Sequence, residues 1–218
     1  MILWVLENAS KVANLDRVVV ATDHDGIAQV VRDAGGEAIV TMSEHPSGTD
    51  RCLEALNKLG EDFDTVVNIQ GDEPFIQPAM IESLLELMAK DYCSIGTLVK
   101  PIDKLDDLLD PNKVKVVVGR DNQALYFSRS PIPFFKDQTA TKWLDNHTYY
   151  KHIGLYGYRP EVLHRITHLE PSSLERAESL EQLRWLENGF TVHAAITKLE
   201  SPSIDTPEDL ARAELLYP

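Results

Sequence analysis

The sequence predicts an α/β protein: a doubly wound, mostly parallel sheet with a small antiparallel lobe. Three observations predict it. Short β-branched runs at 17–22, 37–42, 64–70 and 93–99 alternate with stretches of helical apolar spacing, the rhythm of parallel strands joined by right-handed crossovers. Beyond Pro101 two further runs, 114–118 and 124–128, flank a turn around Gly119 to Asn122 and read as an antiparallel pair. The length of 218 residues suits one sizeable core rather than two. We therefore expect a single domain over 1–218, with a strand-and-loop lobe at about 112–158.

Taken in order, residues 1–12 have helical apolar spacing with no cap or strand before them. The strand at 17–22 is followed by Asp23, His24 and Asp25, a turn and helix cap for a segment that Gly35 and Gly36 close. A strand at 37–42, a polar loop and a helix from about 50 to 59 come next. The run Asp64-Thr-Val-Val-Asn-Ile-Gln-Gly-Asp-Glu-Pro74 then reads as a strand buried on both faces through Val66, Val67 and Ile69, and stopped by Gly71 and Pro74. A helix at 80–90 leads to the strand at 93–99, which makes the first hundred residues Rossmann-like in the broad sense. A short acidic helix at 103–109 precedes the antiparallel pair, and a loop at 131–147 carries Phe134, Phe135 and Trp143. A strand at 152–158, helices at 160–167 and 174–187, a strand at 190–197 and a helix capped by Thr206 before Pro207 complete the chain.

The composition excludes several classes. With 43% hydrophobic and 26% charged residues the chain is not a disordered one. A net charge of −14 without a clustered basic face argues against nucleic acid. Cys52 and Cys93 lie in periodic apolar segments without a C-x-x-C partner and read as reduced core residues, which suggests the cytoplasm. No run reaches the roughly eighteen apolar residues of a membrane span. Neither G-x-x-x-x-G-K-[ST] nor G-x-G-x-x-G occurs, against P-loop and dinucleotide readings.

Candidate chemistry sits at strand ends, where an α/β sheet opens its ligand crevice. Asp72 and Glu73 follow the central strand, where they could hold a polyphosphate and its metal or serve as solvated turn formers. His45-Pro-Ser-Gly-Thr-Asp-Arg51 lies between strand and helix, so its amides and hydroxyls could meet a nucleotide or merely start the helix. Asp205, at a strand end before a helix, could close on the same Mg²⁺ as Asp72 or only take part in the helix start. His152 and Tyr156, four apart, share one face of their strand. Glu181, Gln182 and Arg184 are placed on the polar, solvated side of their helix.

Together Gln70-Gly-Asp-Glu-Pro74, His45-Pro-Ser-Gly-Thr-Asp-Arg51, Asn112-Lys-Val-Lys-Val116, Leu125-Tyr-Phe-Ser-Arg129, His152-Ile-Gly-Leu-Tyr-Gly-Tyr158, Leu180-Glu-Gln-Leu-Arg184 and Asp205-Thr-Pro-Glu-Asp-Leu210 resemble the 3-deoxy-manno-octulosonate (KDO) cytidylyltransferases over essentially the whole chain. The resemblance implies a nucleotide-diphospho-sugar transferase fold. It implies an enzyme that couples CTP to KDO with release of pyrophosphate, for lipopolysaccharide synthesis in Gram-negative bacteria. It further implies Mg²⁺ dependence, a cytoplasmic location and a homodimer. By the same resemblance Asp72 and Asp205 would hold the metal, with Gln70 positioning the substrates. Ser47, Gly48, Thr49 and Arg51 would line the CTP pocket, and Arg129, His152, Tyr156, Glu181 and Gln182 would face the sugar acid. The alternatives are a related sugar acid, amino-KDO or sialic acid, or a silent nucleotide-binding paralogue.

Two departures stand out. Asp50 occupies a position where the family commonly carries Glu. The family's opening strand and phosphate-gripping loop, of the type Ile-Pro-Ala-Arg-x-x-Ser-x-Arg-x-Pro-Gly-Lys-Pro, have no match, because residues 1–4 align with the helix downstream of it. An open sheet position beside the strand at 17–21 is therefore expected, with weakened triphosphate binding and little activity, since each lost charge-assisted contact costs roughly 1.5–3 kcal/mol. The strand pair at 114–128 and the aromatic loop are the expected dimer contact.

Overall fold

The predicted alternation is present. The computed structural model describes residues 1–201 and 204, and the predicted C-terminal helix lies outside them. The order is α1 (Ile2–Ser10), β1 (Val19–Thr22), α2 (Asp25–Asp33), β2 (Glu37–Val40), α3 (Gly48–Leu59), β3 (Val66–Asn68), α4 (Pro78–Met88) and β4 (Ile95–Pro101). There follow α5 (Leu105–Leu109), β5 (Lys115–Val118), β6 (Ala124–Ser128), a 3₁₀ turn (Ala140–Lys142) into α6 (Trp143–Asn146), β7 (Tyr150–Tyr158), α7 (Pro160–Ile166), α8 (Ser173–Glu178), α9 (Gln182–Glu187) and β8 (Val192–Ile196). Several ends carry their sequence signals. The His24 ring accepts the Gly26 amide at the start of α2, Ser47 caps α3, and Gly60 at φ 64° ends α3 in the left-handed conformation that glycine adopts without strain.

The α/β class holds, and the strand pairing is more mixed than a doubly wound plan. β1 and β2 form a parallel pair, while six strands run β6-β5-β7-β4-β8 with β3 also on β7. The nine-residue β7 is the hub, antiparallel to β3, β4 and β5, and β4 pairs parallel with β8. Local sequence marks β7 as a strand without saying that it enters between β3 and β4. Long-range packing decides that. Gly96 and Gly157 face each other across β4 and β7, and a Cβ on Gly157 would stand 2.7 Å from the Met88 side chain. The paired glycines let α4 settle directly on the sheet.

Two cores cover the faces. Phe127, Tyr156, Tyr158, Leu163, Ile166, Leu183 and Trp185 pack on one side, and Val5, Met80, Ile81, Leu84, Leu98, Ile153 and Leu155 on the other. Full burial of each large side chain contributes about 1.5–3 kcal/mol. Ile102, Leu108, Trp143 and Tyr149 form a third cluster beneath the loop at 131–147.

Four expectations change. β3 is only three residues long and half-buried at Val66 and Val67, because one of its edges faces a cavity of about 570 Å³ rather than another strand. Val19, Val20 and Ala21 of β1 line the same cavity, so the position beside 17–21 is open, as the sequence leads one to expect. The helix expected at 174–187 is two helices broken at Ser179, whose φ is 53°. Trp143 is buried, not part of an exposed contact, leaving Phe134 as the exposed aromatic of that loop. Gln182 and Arg184 point inward, not to solvent.

Candidate active site

The site lies at the C-terminal end of β3, where chain segments far apart in sequence meet. At its centre is the start of α3. A Cβ on Gly48 would lie 3.6 Å from Asn68 Nδ2 and 3.8 Å from both terminal atoms of the Gln70 amide, so the loop before α3 and the loop after β3 stand side by side. Glycine at this position leaves the first turn of α3 accessible from the crevice.

Glu181, just before α9, joins this turn to the helices on the same face of the sheet. Its carboxylate accepts the Thr49 hydroxyl at 2.9 Å and lies 3.1 Å from Ser47 Oγ, which also bonds Asp50 Oδ2 at 2.6 Å. Burial raises the Glu181 pKa above the ordinary glutamate value, opposed by the two hydroxyls. The helix break at Ser179 is what aims Glu181 at α3. Glu178 holds the break in place by accepting Ser128 Oγ at 2.6 Å and the Arg129 amide at 2.9 Å.

Arg129 is committed to the same joint. Nε donates to Glu178 O, Nη1 to Pro111 O and Nη2 to Ser179 O. Two of these carbonyls brace the helix break, and the third ties it to the loop before β5. Arg51 is likewise engaged, with Thr41 Oγ1, Met42 O and, at 3.3 Å, Asp23, which ties α3 to the ends of β1 and β2.

His152 and Tyr156 do share a face, their rings 5.1 Å apart. The imidazole bonds Thr97 Oγ1 at 2.9 Å and meets Phe127 edge-on. Burial pushes its pKa down to about 3, so it is a neutral group, able to donate or accept but not to supply a cation. Tyr156 stacks on Tyr158, and both meet the Trp185 indole edge-on. The Tyr156 hydroxyl and Trp185 Nε1 are buried with no hydrogen-bond partner among the described residues, and the Tyr158 hydroxyl faces Thr49 and Asn68. Gln182 is buried beside them at the start of α9. Arg184 is spent on Glu175, through Nε at 2.7 Å, and on Leu169 O.

Asp72 is half-buried in the turn after β3, and its carbonyl accepts the Ile204 amide at 2.9 Å. Asp205 follows Ile204 in the chain and lies outside the described residues. Glu73, its predicted neighbour in the crevice, is instead buried. Among the described residues no group of three His, Cys, Asp or Glu side chains is placed to hold a metal.

Sequence reasoning missed Asn68, Thr97, Glu178, Tyr158 and Trp185. Tyr158 carries a signal, being two residues beyond Tyr156 and so on the same strand face. The others carry none, because each matters through a neighbour from a remote segment.

Comparison with known proteins gives the family and the fold. The family model described as Cytidylyltransferase matches residues 1–199. The 3-deoxy-manno-octulosonate cytidylyltransferase of Cytophaga hutchinsonii is 49% identical over 213 residues, covering 97% of this chain and 85% of that one. The enzyme of the same name from Parabacteroides distasonis is 51% identical over 217 residues, covering 98% and 86%. The solved structure of a CMP:2-keto-3-deoxy-manno-octonic acid synthetase complexed with CTP superposes with a TM-score of 0.91 at 40% identity, covering 99% of this chain and 86% of that one. No helix of the described residues is long and apolar enough to cross a membrane. With a family match across most of its length and close relatives that share its fold, the chain belongs to the cytidylyltransferase family.

Proposed function

We propose that this protein transfers CMP from CTP to the 2-hydroxyl of KDO, giving CMP-KDO and pyrophosphate for lipopolysaccharide synthesis. The observation that carries this reading is the tie between Glu181 and the Ser47 and Thr49 hydroxyls. It brings the glycine-containing turn at the start of α3 against a buried pocket of neutral and acidic polar groups, one side for a nucleotide and the other for a hydroxylated acid.

The chemistry asks for positioning more than for a nucleophile in the protein. The sugar hydroxyl attacks the α-phosphorus in line with the leaving pyrophosphate, so holding both anions in register is the main contribution. The α3 amides and the hydroxyls of Ser47 and Thr49 would orient the nucleotide, and Gln70 the two substrates beside them. His152, Tyr156, Glu181 and Gln182 would receive the sugar acid. Arg129 would act there by fixing the Glu178–Ser179 joint. Arg51, which lines the cavity and is held through Nη1 by Thr41, Met42 and Asp23, would turn the rest of its guanidinium to phosphate.

Mg²⁺ fits the donors present. Asp72 offers hard carboxylate oxygens at the end of β3, and the bond from the Ile204 amide brings the chain to Asp72 one residue before Asp205. The two acids would hold the ion together with substrate oxygens. When bound, it would neutralise charge developing on the α-phosphate.

The free thiols of Cys52 and Cys93 support a cytoplasmic enzyme. Leu125 and Phe134, 58% and 74% exposed on the antiparallel lobe, support a homodimer formed through that surface.

Pyrophosphate release that requires both CTP and KDO tests the reading. Asp72→Asn should lower the rate about 1,000-fold with the fold intact. Release with CTP and sialic acid or amino-KDO, but not with KDO, would transfer the reading to that sugar. No CTP binding at all would replace it with a silent paralogue.

A further inference from the structure

Lys100 and Lys151 stand directly opposite each other on β4 and β7. Like charges in this register repel, which makes the placement costly unless an anion bridges them. Glu200 is that anion. Its Oε1 takes both ammonium groups, Lys100 at 3.0 Å and Lys151 closer still. Lys115, next to Lys151 across β5 and β7, is turned away onto Asp110 O.

The bridge anchors the chain just after β8. The Thr197 amide donates to Val99 O, and the Leu199 amide to Thr197 Oγ1 at 3.1 Å. Gln77, the residue that opens α4, donates to Glu200 O at 3.1 Å. Further along the chain the Ile204 amide donates to Asp72 O. Glu200 is thus the ionic anchor of a segment whose far end touches the backbone of the proposed metal ligand. The two lysines hold its carboxyl down to about 2, so the anchor stays charged at every pH at which the protein works.

We propose that Lys100, Lys151 and Glu200 form an ionic clamp that anchors the chain after β8 and, through the Ile204 bond, steadies the turn that carries Asp72. Glu200 is on this view a positioning residue, and the inference rests on the metal reading given above. Nothing in the clamp touches substrate. Its effect is on how much metal the site requires, the kind of dependence seen when groups behind a ligand are removed.

The test uses the 218-residue protein, with Mn²⁺ as the probe read by its electron spin resonance signal and amide exchange read at Ile204. Glu200→Gln and Lys151→Met should each raise Ile204 exchange about tenfold and the half-saturating Mn²⁺ concentration about 10-fold or more. Glu200→Asp should recover part of both. Asp72→Asn should abolish Mn²⁺ binding while leaving Glu200 and its lysines in place. Unchanged exchange at Ile204 in the two clamp variants overturns the clamp. Raised exchange with unchanged Mn²⁺ binding overturns its positioning role. Raised exchange in the clamp variants together with wild-type Mn²⁺ binding in Asp72→Asn overturns the metal reading, and the proposal with it, by a pattern neither of the other failures gives.

Discussion

The two sides of the crevice are held by different kinds of force. On the side proposed for the sugar acid Tyr156, Tyr158, Leu163, Leu183 and Trp185 are buried around β7 and α9, and β7 has paired strands on both of its edges. On the side proposed for the nucleotide β1 and β2 form a separate pair, and β1 and β3 both line the cavity of about 570 Å³. Polar ties do more of the holding there, with Arg17 between Glu37 and Glu61 and Arg51 bonded across to Asp23. Packed aromatic surface resists deformation, whereas exposed ion pairs contribute little and are screened by salt. One wall of the crevice is therefore a rigid template, and the other is a weakly packed frame that Glu181 ties to it.

The largest test of that contrast compares equivalent truncations. Leu163→Ala, in the closed core, should cost about 3–4 kcal/mol, because the surroundings cannot collapse into the space left behind. Leu56→Ala, on α3 against the cavity, should cost about 1 kcal/mol, since its neighbours already face open volume. Urea unfolding at fixed pH measures both, and equal costs would break the comparison.

A smaller effect is expected at the tie. Glu181→Gln keeps the shape but weakens acceptance of the Ser47 and Thr49 hydroxyls, and should lower kcat/KM about 10- to 100-fold with little change in unfolding. The pH dependence has a definite sign. A carboxyl whose folded pKa is raised binds a proton more readily in the folded state, so the wild type should lose stability as pH rises from the ordinary glutamate value through the raised one. Glu181→Gln should flatten that slope in melts taken across the window.

The smallest effect is at His152. With its pKa pushed down to about 3, it adds no inflection to the pH–rate profile between about 5 and 8. A titration of its ring near the usual histidine value, seen by NMR, would show that the sugar-side wall is wetter than its packing implies.

Much of this was legible in the chain. The strands at 17–22, 37–42, 93–99 and 152–158 announce themselves through β-branched runs between turn residues, and Ser47 announces α3, because local backbone preferences act within a few residues. Tyr156 and His152 share a face for the same local reason. The break at Ser179 was not legible: its sequence reads as a continuous helix with Leu180, Leu183 and Leu186 on one stripe. What bends it is Glu178 bonding to Ser128 and Arg129, about fifty residues away. The inward turn of Gln182 and Arg184 follows from that bend.

The sequence by itself determined the α/β class, the location of the acidic turn at Asp72 and the identity of the polar groups available to a nucleotide and a sugar acid. These depend on side-chain chemistry and short-range periodicity. Only the tertiary structure decided that β7 enters between β3 and β4, and that Glu181 reaches Ser47 and Thr49 from more than a hundred residues away. Such pairings cost chain entropy to form and are selected by the surface that whole elements bury together, which no local window of sequence contains.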